Sequence, residues 1–209
     1  LSIYETDEEK VEALKKWWKD NGTSVIAGVV IGLGAVFGWR AWVQHQEGVR
    51  QQASAAFEQL MVSVEGASTE SARTQAELLN EEFGGTPYAA LASLLRARAE
   101  VQAGERAAAR AALERAIETA PDHAIAQIAA LRLIRLQIAD GDLDAASANI
   151  ELHDDGGAFA ADFDALRGDL AAAAGRRQEA RDAYTRALAA GAANAELIRL
   201  KLENLPPAG

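Results

Sequence analysis

The chain has 209 residues with 21 Lys plus Arg against 31 Asp plus Glu, a formal charge of −10, and no cysteine. Residues 44–209 carry a charge of −9 (16 bases, 25 acids), which argues against nucleic acid and anionic lipid as main partners. The absence of cysteine fits an oxidising compartment.

The first predicted element is amphipathic. Over residues 8–20, Val11, Leu14 and Trp18 recur at helical spacing, with Trp17 beside them and Lys and Glu elsewhere. This pattern predicts a helix lying at a membrane surface. Asn21-Gly22 predicts a break, with Thr23 or Ser24 capping the helix that follows.

That next helix is apolar. Residues 21–39 contain no charge, and the four tryptophans bracket the stretch: Trp17 and Trp18 before it, Trp39 and Trp42 after it. Residues 23–43 as a helix span about 31 Å, close to a bilayer's hydrocarbon core. Trp prefers the two water–lipid boundaries, and Arg40 can snorkel to the same level. The expectation is one membrane crossing in contact with the lipid bilayer. A cleaved leader would need a short basic start and a small-residue site after the apolar run. This run instead follows about twenty mixed-charge residues and ends Phe37-Gly38-Trp39-Arg40. Gly32, Gly34 and Gly38 imitate a dinucleotide fingerprint but lack the preceding strand.

Orientation follows from bases near the span. Lys10, Lys15, Lys16 and Lys19 precede it, while Arg40 and Arg50 follow. The excess places residues 1–22 in the cytoplasm and residues 44–209 outside it. Two small-residue pairs, Gly28 with Gly32 and Gly34 with Gly38, are spaced for close approach of a second membrane helix.

The remainder is rich in alanine, poor in β-branched and aromatic residues, and has Pro only at breaks, which predicts an all-α fold. Its internal repeat defines the architecture. Gly104 is followed by Ala109, Leu113, Ala116, Ile117 and Pro121. Gly141 is followed by Ala146 and Ile150, and Gly175 by Ala180, Tyr184, Ala187 and Leu188. These glycines lie 37 and 34 residues apart, near the 34-residue tetratricopeptide period. Ala97 and Gly168 occupy the small position of the preceding helices. The expected solenoid has units at roughly 44–84, 88–121, 124–157 and 158–192, with a capping helix at 194–205 stopped by Pro206-Pro207. The second helix of the unit at 124–157 ends early, near His153. Nine or ten helices and no sheet are expected.

In such a solenoid the first helix of each pair lines the concave face. The alignment puts Leu91, Leu94, Arg98 and Val101 there, then Ile128, Leu131, Arg135 and Ile138, then Asp162, Ala165 and Asp169. An apolar groove carrying Arg98 and Arg135 would hold a peptide. Asp140, Asp142, Asp144 and Glu151 mimic a calcium loop, but Ala145 stands where its turn needs Gly, and the repeat turn explains the same residues. His45, His123 and His153 lack metal-ligand spacing and read as solvated or capping residues. Without cysteine, paired histidines or a nucleophile motif, no catalytic site or cofactor is expected.

Several stretches resemble one family closely: Ile3-Tyr4-Glu5, Val11-Glu12-Ala13, Asn21-Gly22, Gly38-Trp39-Arg40, Trp42, His45-Gln46, Tyr88 to Leu94, Leu166-Arg167-Gly168-Asp169 and Lys201 to Leu205. They are similar to the YfgM family, ancillary subunits of the SecYEG translocon. The resemblance implies a single-pass inner-membrane protein with a periplasmic tetratricopeptide-like domain. It implies association with SecYEG and with a PpiD-like membrane-anchored periplasmic chaperone, and a part in receiving secretory polypeptides. A regulatory role in an envelope-stress response is the alternative it implies. It carries over no catalytic residue.

Overall fold

The computed structural model describes residues 7–206, with side chains from Lys10 onward. The Ile3-Tyr4-Glu5 motif and Pro207 lie outside the described residues. Nine helices and no strand occur among the described residues: α1 Asp7–Glu65, α2 Thr69–Glu82, α3 Pro87–Ala103, α4 Arg106–Glu118, α5 His123–Asp140, α6 Leu143–His153, α7 Ala160–Ala173, α8 Arg177–Ala189 and α9 Ala195–Glu203. The chain divides into two compact units, Leu1–Gln51 and Gln52–Gly209.

In the first unit the expected break at Asn21-Gly22 is absent; α1 runs through it. Asn21 donates its side-chain N–H to the Trp17 carbonyl at 3.0 Å, a bond made along the helix rather than against it. The Trp18 indole lies over Gly22, where an added Cβ would sit 3.2 Å from the ring. Asn and Gly cost a helix only about 1 kcal/mol or less each, and no proline intervenes. The helix formers on both sides outweigh that cost.

The second unit stacks helix pairs. The end of α1 packs with α2 through Ala53, Leu60, Val64, Ala72, Ala76 and Leu79. Fully buried Glu100 of α3 fastens this pair to the next. Its carboxylate accepts from both Nε and a terminal nitrogen of Arg73 at 2.9 and 3.0 Å, with Arg96 at 3.5 Å.

The three repeat units then use one turn. Gly104, Gly141 and Gly175 have φ of +81°, +79° and +75°, a region that L side chains rarely adopt. In each turn the next N–H reaches back five residues: Glu105 to the Glu100 carbonyl at 2.8 Å, Asp142 to Gln137 at 2.9 Å, and Arg176 to Ala171 at 2.8 Å. That is the Schellman bond pattern, which satisfies helix-end carbonyls.

The small and bulky positions follow the repeat. Ala109, Ala146 and Ala180 are completely buried, and Leu113, Ile150 and Tyr184 four residues later are buried against them. Close packing is tightest at Gly168, where a Cβ would come within 2.4 Å of the Tyr184 ring. Helix α6 is short, ending at His153, and α9 closes the C-terminal end around buried Ile198.

The two acidic turn residues have a structural use. Asp140 accepts from Arg106 and Arg110, and Asp142 accepts from Arg110 at 3.0 Å, which ties the turn of one repeat to that of the next. Partial burial would raise the Asp140 carboxyl, but the two guanidiniums outweigh it and hold it below its ordinary range. His123, expected as a solvated turn residue, is exposed but paired, with Nε2 2.7 Å from the Asp155 carboxylate.

Candidate functional site

Two surfaces stand out, one in each unit. In the first, one helix among the described residues is long and apolar enough to cross a membrane, and its apolar window is almost wholly exposed. Ile26, Val29, Val30, Ile31, Leu33, Val36 and Phe37 all face outward, as side chains in lipid do. Trp17, Trp18, Trp39 and Trp42 are half exposed or more, and the Trp39 and Trp42 rings lie 5.2 Å apart in a tilted pair. Arg40 sits between those two rings in sequence, with its side chain exposed.

A Cβ added at Gly28, Gly32, Gly34 or Gly38 would meet nothing within 4 Å. The two pairs occupy different faces. At about 100° per residue, Gly34 and Gly38 are turned about 120° from Gly28 and Gly32. The glycines thus make two shallow tracks on one helix rather than a single one.

In the second unit, an apolar pocket of about 300 Å³ opens between α3 and α5 over α4. Leu94, Ala97 and Val101 of α3, Leu113 of α4 and Leu136 of α5 line it, with Arg98, Gln102 and Arg132 at its rim. The structure therefore brings Leu94, Arg98 and Val101 of the expected groove together. Leu94 forms its floor at 6 % exposure, whereas Val101 is 47 % exposed. Leu91 is half-buried against the core beneath.

The expected α5 residues do not join them. Leu131 is 5 % exposed and belongs to a different core, with Ile134, Phe163 and Leu166. Ile138 packs on that same core, and Ile128 packs on the core under α3. The residues of α5 that reach the pocket are Arg132 and Leu136, one position further along. Arg135 is exposed next to them. In the last unit Asp162 and Ala165 are half-buried. Asp169 is committed: it accepts from the Tyr184 hydroxyl at 2.7 Å and from Lys201 Nζ at 2.7 and 2.8 Å, holding α9 in place. Burial and this carboxylate together push the Tyr184 phenol up from its ordinary value.

The electrostatics of the pocket differ from those of its neighbours. A groove of about 340 Å³ along α6, α7 and α8 contains Arg167, Arg176 and Arg186 but also Glu151, Glu179 and Asp182. Another of about 260 Å³ balances Arg96 and Arg115 with Glu77 and Glu81. The α3–α5 pocket has arginines and no carboxylate. Among the described residues, Arg98, Arg132 and Arg135 form no ion pair, whereas Arg73, Arg96, Arg106, Arg110, Arg167 and Arg186 all do. Partial burial lowers the Arg132 guanidinium below its ordinary pKa, and repulsion from Arg135 and Arg98 adds to it.

The tetratricopeptide repeat-like domain family matches residues 15–207. The chain is 32% identical to the ancillary SecYEG translocon subunit of Haemophilus influenzae over 200 residues, 95% of this chain and 97% of that one. It is 32% identical to the protein of that name in Escherichia coli K12 over 207 residues, 98% and 99% of the two chains. It is also 32% identical to the one in Aggregatibacter actinomycetemcomitans over 203 residues, 95% and 97%. No solved structure matches the chain significantly. These matches run through the apolar helix and every repeat, so the chain belongs to the family of ancillary SecYEG translocon subunits, built on a tetratricopeptide repeat-like domain.

Proposed function

We propose that this protein is a non-enzymatic accessory subunit of the SecYEG translocon, held in the bacterial inner membrane by residues 23–43. Residues 1–22 are cytoplasmic and residues 44–209 are periplasmic. The solenoid receives polypeptide partners there: a PpiD-like membrane-anchored chaperone, or secretory chains as they emerge. The carrying observation is the near-full-length similarity to three ancillary SecYEG translocon subunits, span included. The four lysines before the span against two arginines after it support the orientation. A repeat surface without a nucleophile motif supports binding rather than catalysis.

Affinity purification of the full chain from gently solubilised native membranes tests the assignment. SecY should copurify in near-stoichiometric amount. Its absence, with envelope-stress regulators present instead, would favour a tethered regulator with no part in secretion. The orientation has its own test. Protease added to intact spheroplasts should remove the solenoid and leave a short membrane-protected fragment. Full protection until lysis would reverse the topology.

A further inference from the structure

We propose that the pocket between α3 and α5 is a docking site for an acidic peptide segment, which places one bulky apolar side chain on Leu94, Val101, Leu113 and Leu136 and its flanking Asp or Glu carboxylates on Arg98 and Arg132. This rests on the reading that the solenoid receives polypeptide partners, and names the chemistry of the segment received.

Three observations carry it. The first is size and lining. A cavity of about 300 Å³ walled by aliphatic side chains is at the small end of ligand pockets and suits a single large side chain rather than a folded surface. The second is exposure. Val101 is 47 % exposed at the pocket mouth, above buried Leu94 and Leu113, so an apolar contact there remains to be made. The third is charge. The unit carries a net charge of −9, and carboxylates neutralise most of its arginines, yet Arg98 and Arg132 line the pocket, with Arg135 close to Arg132, and none of the three has one. Like charges held together cost free energy that a ligand's carboxylates recover. Burial lowers the Arg132 pKa first, and repulsion from Arg135 and Arg98 adds to it. Guanidinium forks suit carboxylates in particular, because two parallel N–H groups meet two oxygens. Three arginines call for more than one negative charge, which favours side-chain carboxylates of an internal segment over the single carboxylate of a chain end.

The test uses the full chain in nanodiscs and dye-labelled peptides read by fluorescence anisotropy. One peptide has a central Leu flanked by Glu and an amidated end. A second replaces each Glu by Gln, a third has the Gln sequence with a free terminal carboxylate, and a fourth replaces the Leu by Gly. The first should bind, with affinity falling as salt rises. The second and fourth should bind at least tenfold more weakly. Arg132→Glu and Arg98→Glu should each weaken the first by about tenfold or more, the scale of one charge-assisted hydrogen bond lost. Val101→Asp should do the same. The milder Arg98→Gln and Arg132→Gln should fall between, and circular dichroism should show unchanged helix content in each variant. Equal binding of the first and second peptides, or no effect of the arginine changes in folded protein, overturns the proposal. Tight binding of the third peptide overturns it in favour of a terminal carboxylate. SecY copurification reports separately on the translocon assignment. Retained SecY with no peptide binding sinks only this site, and lost SecY with intact binding sinks only that assignment.

Discussion

Replacing Phe163 by Ala is expected to remove about 3–5 kcal/mol of folding free energy from the solenoid, the usual cost of deleting a fully buried aromatic ring. Phe163 has no exposed surface and sits where three helices meet: Leu131 and Ile134 from α5, Ala146 and Ile150 from α6, Leu166 and Leu170 from α7. No other buried member of that cluster is as large. Domains of this size hold together by only about 5–15 kcal/mol in total, so the loss is a large fraction of the whole. In a solenoid each unit touches only its neighbours, and the damage has a location as well as a size. The units at 124–157 and 158–192 lose their shared core, while the unit at 88–121 keeps the core it makes with one side of α5, around Leu113 and Leu133. Urea denaturation of residues 52–209 followed by circular dichroism should show a lower midpoint. A first phase assignable to the C-terminal units should separate from the rest. A loss under about 1 kcal/mol in a single unchanged transition would show that the cluster collapses around the gap.

Leucine at Gly28, Gly32, Gly34 and Gly38 together is expected to bring copurified SecY down to background while the helix still inserts. The four positions are open in the isolated chain, where an added Cβ meets nothing within 4 Å. Leucine also favours lipid, so insertion does not suffer. What changes is the depth at which another helix can sit, because small residues allow backbones to approach and leucine fills the track. Changing the pairs one at a time separates the two tracks. If each track holds a different helix, the Gly28/Gly32 change and the Gly34/Gly38 change should release different partners. If neither change alters copurification and deleting residues 44–209 abolishes it, the span is a passive anchor and the solenoid carries all recognition.

The turns of the solenoid were legible because their chemistry is nearly binary. A φ near +80° admits Gly and almost nothing else, so Gly104, Gly141 and Gly175 announced the helix ends, and the small and bulky positions could be counted from them. The groove was legible on α3 and not on α5, for a reason visible in burial. On α5, Gln127, Ala129, Ala130, Leu131, Leu133, Ile134, Leu136 and Gln137 are all buried. A helix enclosed on most sides carries almost no apolar period, and a one-residue slip then costs the sequence pattern nothing. That slip moved the expected lining from Leu131 to Arg132. The misread break at Asn21-Gly22 has the opposite cause. Turn residues are a local bias of about 1 kcal/mol, and the apolar helix that follows must keep its backbone hydrogen bonds internal.

The unbroken passage through Asn21-Gly22 gives the first unit a rotational phase. Counting about 100° per residue, Leu14 and Trp18 fall on the same side as Gly28 and Gly32, within roughly a quarter turn, and nearly opposite Gly34 and Gly38. A helix seated on the first glycine track is thereby steered along the apolar stripe beyond the lipid, where Val11, Leu14 and Trp18 stand exposed. A flexible joint at residues 21 and 22 would have let the two ends choose partners independently. Without it, the choice made at mid-membrane dictates which neighbour the N-terminal end can address. One residue inserted there would swing that end about 100° around the axis, leaving every side chain present and the pairing out of step.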